Sequence, residues 1–265
     1  MKNAKELLYD MESAARISGA VLLNTQKHAR DLLTHKDFLT SADLDSDAII
    51  RHCLETNCPS ISYSSEEREL KDIKKGWLVD PLDGSWNFFR QDDNWGISIA
   101  YMQSGRTKAG VVYLPRKRQM FLTDGKQVQA NQSDFLLSQM SLPIGVSKRS
   151  TLKECSVWTD HNKKDPRLTT SIFNILTRHT RYPQIRLCCT ASMMAVVTGE
   201  IDGYVHPAPE PFDHAAAGLI LKTMGGKVTD LEGNPWHPFS KSLVASNGLI
   251  HDDLLSILKL PTHSS

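Results

Sequence analysis

Two aspartates in the segment WLVDPLDGSWNFF, Asp80 and Asp83, are the residues of this 265-residue sequence whose types and spacing could do chemistry. The run GWLV reads as a strand that delivers Asp80. Pro81 then removes a backbone donor and is expected to stop the ladder, which leaves both acids near the carboxyl end of that strand. Between them Leu82 can turn its carbonyl toward the same point. Gly84 lets the backbone come close, and Ser85-Trp86-Asn87-Phe88 reads as the opening of a helix whose free N–H groups face an anion. Carboxylates, a peptide carbonyl and a substrate phosphate are hard oxygen donors of the kind Mg2+ prefers. The corresponding chemistry is attack of an activated water on a phosphoryl group. Asp-Pro and Asp-Gly are also common turn formers, and for an isolated DPxDG a plain turn is the commoner reading.

Other segments supply the context. Glu66 and Glu67 end the short run ISYSS upstream, in a position to face the same cleft, although an EER pair alone reads as a solvated strand edge. Asp213 stands where PEPF gives way to HAAAGLIL. It suits an N-cap, and Ala215, Ala216 and Ala217 keep the start of that helix slim enough to close against a metal cluster.

The elements that must position these acids follow from periodicity. Apolar residues at Leu7, Met11, Ala14, Ile17 and Val21 predict a long amphipathic helix from Lys5 to about Leu33, and a second helix is expected after Asp45. Beyond Pro59 the pattern changes to strands: ISYS, GWLV, WGISIAYM, KAGVVYL and QMFLTD, with Pro115 to Arg118 as a hairpin connection. The second half alternates. CSVWTD, QIRLCCT, DGYVHP, KVTDL and SLVAS read as strands, while RLTTSIFNILTRH, ASMMAVVTG, HAAAGLILKTM and DDLLSILKL read as helices, the third closed by Gly225-Gly226. Without repeats or a clear linker, residues 1–265 are expected to form one unit, with an α+β lobe over about 1–145 and an α/β lobe over about 146–265.

Composition narrows the function classes. With 40% hydrophobic residues the chain supports an ordinary core, and 31 Lys and Arg against 30 Asp and Glu give no bulk attraction to nucleic acid. DNA binding is therefore not expected, and a small charged substrate bound locally fits better. Glu6, Asp10, Glu12 and Arg16 interrupt the apolar positions of the N-terminal segment, so no membrane association is expected and the chain reads as cytoplasmic. The five cysteines, Cys53, Cys58, Cys155, Cys188 and Cys189, form no zinc-type spacing and read as reduced structural thiols.

Taken together, these segments resemble the inositol monophosphatase family of magnesium-dependent, lithium-sensitive phosphatases. The family signature Asp-Pro-Ile/Leu-Asp-Gly-Thr-x-Asn-Phe is similar to Asp80 through Phe88, with Ser85 in place of Thr. A second signature, Trp-Asp-x-Ala-Ala-Gly, is similar to Phe212 through Gly218, with Phe212 for Trp and one additional Ala. Glu66-Glu67 matches the family's Glu-Glu pair, and DFLTSAD, ending on Asp43, resembles its early Asp-x-Val-Thr-x-x-Asp segment. The resemblance implies a layered α/β/α/β/α sandwich of the inositol monophosphatase/fructose-bisphosphatase type, a homodimer, and two or three Mg2+ ions per site. It implies that Glu66, Asp80 and the Leu82 carbonyl hold one ion, that Asp80, Asp83 and Asp213 hold a second, and that a third sits near Glu66. Asp43 and Ser85, with Glu66, would position and deprotonate the attacking water, while backbone N–H groups of Gly84 and Ser85 bind phosphate oxygens.

The implied substrate is a small phosphorylated alcohol bound by Asp83, Thr190, Ala191, residue 206 and Asp213. Asn87-Phe88 sides with the inositol-type branch rather than the 3′-phosphonucleotide branch. Where the family places a sugar-binding acid, however, this sequence has His206, an imidazole with different hydrogen-bonding geometry. Glu210 stands in the same loop and reads as solvated, His214 reads as a surface histidine, and Trp86, Phe88 and Phe89 read as packing behind the metal loop. Fructose-1,6-bisphosphatase, histidinol-phosphatase or 3′(2′),5′-bisphosphate nucleotidase activity on the same metal site stays open. So does a regulatory role with RNA polymerase or ribosomal partners.

Overall fold

The computed structural model describes residues 2–27, 35–68, 74–134, 137–162 and 164–259. Helix α1 (Ala4–Lys27) buries Leu7, Met11 and Ala14 as its spacing predicts, but Ile17 and Val21 of the expected stripe are exposed; the buried face continues instead through Ala15, Ser18 and Leu22. The continuation expected toward Leu33 lies outside the described residues. Helix α2 spans His35–Asn57 and so begins well before Asp45, placing Asp43 inside a helix. Its buried stripe of Ala42, Ser46, Ile50 and Leu54 repeats every four residues with no Gly or Pro to interrupt it, which carries the helix through the expected start.

A seven-stranded sheet follows, its strands neighbours in chain order: β1 (Tyr63–Ser65), β2 (Lys75–Asp83), β3 (Gly96–Gln103), β4 (Arg106–Leu114), β5 (Gln119–Thr123), β6 (Val128–Asp134) and β7 (Leu137–Ser141). A short helix α3 (Ser85–Phe89) links β2 to β3. Every pairing is antiparallel except β1 with β2, which run parallel with Ser65 opposite Val79. Alternation along β3 sends Ile97, Ile99 and Tyr101 to the core under α1 and α2, and Ala100 and Met102 to a second core on the opposite face.

The second half contributes β8 (Val157–Thr159), α4 (Pro166–His179), β9 (Gln184–Ile185), α5 (Cys189–Val197), β10 (Gly203–His206), α6 (Pro211–Thr223), β11 (Lys227–Thr229), β12 (Leu243–Ser246) and α7 (His251–Leu258). Its strands form a five-stranded sheet in the order β11-β12-β10-β8-β9. One core joins residues of both sheets, Val112 and Phe121 with Tyr204 and Leu243, through the apolar residues of α5 and α6. Another packs Ile172 and Leu176 of α4 and Leu254 of α7 on the outer face of the five-stranded sheet. The layers therefore run α1 and α2, sheet, α5 and α6, sheet, α4 and α7: the α/β/α/β/α sandwich the resemblance implies. Among the described residues no helix is long and apolar enough to cross a membrane.

Two strand expectations need correction. QIRLCCT supplies only the two-residue β9, because Cys188 is the N-cap of α5 and the chain turns helical at Cys189. Strand β2 continues through Pro81 to Asp83, with its register against β3 shifted between Asp80 and Asp83, so the proline bends the ladder rather than ending it.

Candidate metal centre

The parallel pairing of β1 with β2 is what brings Glu66 to Asp80. With Ser65 opposite Val79, Glu66 just past the end of β1 comes beside Asp80, which is still within β2, and the Glu66 N–H donates to the Val79 carbonyl at 3.1 Å. Asp80 is 1% exposed. Its Oδ1 accepts the Leu82 N–H at 3.0 Å, whereas its Oδ2 is buried with no hydrogen-bond partner.

The third acid arrives from the other half of the chain. Helix α6 begins at Pro211, three residues earlier than a cap at Asp213 would place it, with Glu210 as N-cap. Asp213 is thus at the third helical position rather than the cap, and its Oδ2 accepts the Glu210 N–H at 3.0 Å in a capping box. Small residues let this helix seat on the sheet: a Cβ on Gly110 of β4 would stand 3.0 Å from the Ala216 Cα. The Ser98 hydroxyl of β3 donates to the Phe212 carbonyl at 3.1 Å, and the Thr190 hydroxyl donates to the Asp213 carbonyl at 3.1 Å.

As a result, one carboxylate oxygen each from Glu66, Asp80 and Asp213 lies within 4.8 Å of the other two. Burial holds the Asp80 carboxyl well above the usual carboxylate range, and the charges of Glu66, Asp83 and Asp213 add to the shift. Asp213 is raised in the same way, by burial first and then by Asp83 and Glu66. Asp80 is buried, Asp213 half-buried and Glu66 exposed, and like charges brought this close with a buried, orphaned oxygen among them are costly unless a cation joins them. The donor set is all oxygen, which fits a hard divalent ion.

Asp83 sits beside this trio, its carboxyl raised by burial and partly relieved by hydrogen bonds. Its Oδ2 accepts the Thr190 N–H at 2.5 Å and the Cys188 thiol at 3.2 Å. The Cys188 sulfur in turn accepts the Ala191 N–H at 3.3 Å, so a buried thiol serves both as helix cap and as donor to the acidic loop. Gly84 is required here twice over. Its φ is +83°, and a Cβ would meet the Asn94 carbonyl oxygen at 2.9 Å and the Cys188 Cβ at 2.9 Å. Gly84→Ala is therefore expected to lower stability by at least about 1–2 kcal/mol from the left-handed backbone alone. That corresponds to a melting midpoint lower by about 2–8 °C, checked by thermal denaturation; a variant that melts with the wild type removes this role from Gly84.

These residues border a cavity of about 610 Å³ whose wall includes Glu66, Asp83, Gly84, Ser85 and Asp213. Asp43 lies on α2, partly exposed; burial, then the charges of Glu67 and Glu66, push its carboxyl up to about 8. Leu82 is in the wall, whereas Thr190 and Ala191 are buried in the first turn of α5 and are not. His206 is in the wall at the end of β10; its Nδ1 accepts the Ala208 N–H at 3.2 Å, and burial depresses the ring to about 3. Glu210 is exposed and pairs with Lys164 at 3.1 Å, in keeping with a solvated loop acid.

Two aromatic expectations change. His214 is wholly buried rather than a surface residue, because the Trp236 indole N–H reaches its Nδ1 at 2.9 Å from a distant loop. Phe88 packs in the core, edge-on to Trp95, but Trp86 is 42% exposed and lines the cavity. Several wall residues escaped sequence reasoning, and one of them is an enclosed acid. Asp160, just past β8, is 5% exposed and borders the same cavity. Its signal was the pattern already used for Asp80, a strand run ending in Asp, here in CSVWTD.

Comparison with known proteins agrees with this architecture. Residues 3–260 match the model of the Inositol monophosphatase family. A fructose-1,6-bisphosphatase/inositol-1-monophosphatase from Thermotoga maritima is 31% identical over 225 residues, covering 84% of this chain and 83% of that protein. Nus factor SuhB from Escherichia coli is 27% identical over 230 residues, with coverage of 84% and 83%. The solved inositol monophosphatase from Anabaena (Nostoc) superposes with a TM-score of 0.83 at 27% identity, covering 99% of each chain. The five-layer fold, the acid cluster and the match over nearly the whole length together establish that this chain belongs to the inositol monophosphatase family, a family of phosphatases.

Proposed function

We propose that the chain is a Mg2+-dependent phosphomonoesterase that hydrolyses a small phosphorylated alcohol. The observation that carries this reading is the convergence of Glu66, Asp80 and Asp213 beside a cavity, with the Asp80 Oδ2 buried and unpartnered. Glu66, Asp80 and the Leu82 carbonyl would hold one ion, Asp80, Asp83 and Asp213 a second, and a third would sit near Glu66. When bound, Mg2+ supplies the positive charge that offsets repulsion between a phosphomonoester and its nucleophile and stabilises the leaving alkoxide.

The chain's own residues do the rest. The N–H groups of Gly84 and Ser85, where α3 begins, orient the phosphate oxygens. Asp43 and the Ser85 hydroxyl hold the attacking water for in-line displacement and take its proton, with no phospho-enzyme. Ser85 keeps the hydroxyl of the family's Thr and loses only the methyl group that restricts rotation. Asp83, Asp213 and His206 set the alcohol side of the pocket, with Thr190 behind the wall holding the Asp83 carboxylate through its N–H. The working form we propose is a cytoplasmic homodimer.

A phosphate-release panel with Mg2+ tests the proposal, using inositol 1-phosphate, fructose 1,6-bisphosphate, histidinol phosphate and a 3′-phosphonucleotide. Mg2+-dependent release from at least one ester, abolished by EDTA, is the expected result; no release from any of them would sink the reading. If inositol 1-phosphate resists while another ester is cleaved, the phosphatase assignment stands and the inositol label is dropped. A second reading, a regulator of transcription, is favoured by the relatives named Nus factor SuhB. It is compatible with catalysis, since the acid cluster is complete in this chain.

A further inference from the structure

We infer that Asp160, at the end of β8, accepts a hydroxyl group of the substrate's alcohol portion, paired with the His206 N–H beside it. The inference rests on the phosphatase reading above and adds the residues that read the alcohol.

Strands β8 and β10 are parallel neighbours with Thr159 opposite Val205, so Asp160 and His206 leave the sheet side by side. The Asp160 N–H still donates to the Val205 carbonyl at 3.3 Å. Both side chains are nearly enclosed, at 5% and 7% exposure, and both border the cavity. Because the His206 Nδ1 accepts the Ala208 N–H, the proton of the neutral ring is on Nε2, and the imidazole can only donate.

Asp160 is held to accept. Its Oδ1 takes the His161 N–H at 2.7 Å and its Oδ2 takes the Tyr204 hydroxyl at 2.8 Å. The Cys188 N–H also bonds the carboxylate, which leaves one of its four lone pairs for a further donor. Burial pushes the carboxyl up to about 7, and these three donors favour its ionised, accepting form. Tyr204 is wholly buried, which fixes the carboxylate in place. The other carboxylates in the wall are committed, as is the Asn162 amide. Glu66, Asp83 and Asp213 belong to the acid cluster, Glu210 is paired with Lys164, and the Asn162 side-chain carbonyl takes two backbone N–H groups. A fixed donor beside a fixed acceptor suits a hydroxyl, which accepts from one and donates to the other. The chemical class is therefore a polyol phosphate that keeps a free hydroxyl.

The test compares kcat/KM for inositol 1-phosphate and glycerol 2-phosphate with that for p-nitrophenyl phosphate, which carries no alcohol hydroxyl. Asp160→Asn keeps the shape and an acceptor for Tyr204 but loses the charge. It is expected to lower the polyol-to-aryl ratio by about 10- to 100-fold, chiefly through KM for the polyol esters, the size of one charge-assisted hydrogen bond. Tyr204→Phe, a change at a positioning residue, should shift the ratio the same way by less and carries the test if Asp160→Asn does not fold. Adding His206→Glu to Asp160→Asn, which returns a carboxylate one strand over, should recover part of the ratio.

An unchanged ratio, with both rates falling together or neither falling, overturns the assignment. A wild type that hydrolyses the aryl ester and no polyol ester also overturns it, yet leaves the phosphatase reading standing. If the wild type hydrolyses neither, the phosphatase reading fails, and calorimetric binding of inositol 1-phosphate decides on Asp160 alone. Binding at least tenfold weaker in Asp160→Asn then supports the assignment, and equal binding overturns it.

Discussion

Asp80→Asn is expected to lower kcat/KM for phosphate release by about a thousandfold or more, roughly 4 kcal/mol of transition-state stabilisation, while leaving the metal-free protein no less stable than the wild type. The two halves of this expectation come from the same surroundings. Asp80 is enclosed, one of its oxygens is satisfied by the Leu82 N–H, and the other faces Glu66 and Asp213 with no partner. Without a cation its negative charge is unfavourable, so a neutral amide of the same shape relieves repulsion and offers an N–H to the neighbouring carboxylates. With a cation, the same change removes a ligand. Phosphate release in Mg2+ and thermal melting in EDTA check both halves. Retained turnover removes Asp80 from the metal site, and a melting midpoint several degrees lower in EDTA marks a structural acid instead. If the inactive variant replaces the wild type in cells, the regulatory reading gains and the catalytic one loses its physiological claim.

Mg2+ at about 100 times its dissociation constant should raise stability at pH 8 or above by about 2.7 kcal/mol, seen as an upward shift of about 5–10 °C in the melting midpoint. This shift should shrink steadily toward pH 5. The sign follows from the direction of the carboxyl shifts. Asp80, Asp83 and Asp213 are raised above their unfolded value of 3.8, and Asp43 is raised to about 8. Between 3.8 and those folded values the native state binds more protons than the unfolded chain. In the metal-free protein this contribution is fully present below the unfolded value and is lost as pH rises through the folded ones. Protons and cations compete for the same oxygens, so the cation gains most where the protons have left. Melting curves in EDTA and in MgCl2 across this range provide the test, and a Mg2+ shift of equal size at pH 8 and pH 5 contradicts it.

The acids nearest each other in sequence were the easiest to read, because Asp80 and Asp83 are placed by one strand end and one glycine turn. Glu66 and Asp213 were legible as residue types in suggestive positions, but what unites them is tertiary: the parallel β1–β2 pairing and the seating of α6 against Gly110. Asp160 escaped because its neighbour His206 belongs to a strand that follows only after two helices, α4 and α5, and the short strand β9, and no local pattern announces that register. His214 was misplaced for a similar reason, since the indole that satisfies it comes from a loop beyond the helix. Strands β6 and β7 were unannounced as well. QVQANQSD and LSQMS are polar segments, and pairing with the sheet rather than their own hydrophobicity sets their conformation.

The meeting of Glu66 and Asp80 with Asp213 has a consequence for how the molecule comes together. The first two ride on the seven-stranded sheet, and the third rides on a helix sandwiched between that sheet and the five-stranded one. A partly assembled chain, with either sheet formed but α6 not yet docked, has only fragments of the cluster. An ion that needs all three carboxylates then acts as a late fastener, rewarding the docked arrangement and no earlier one. Occupancy of the site becomes a readout of tertiary assembly itself.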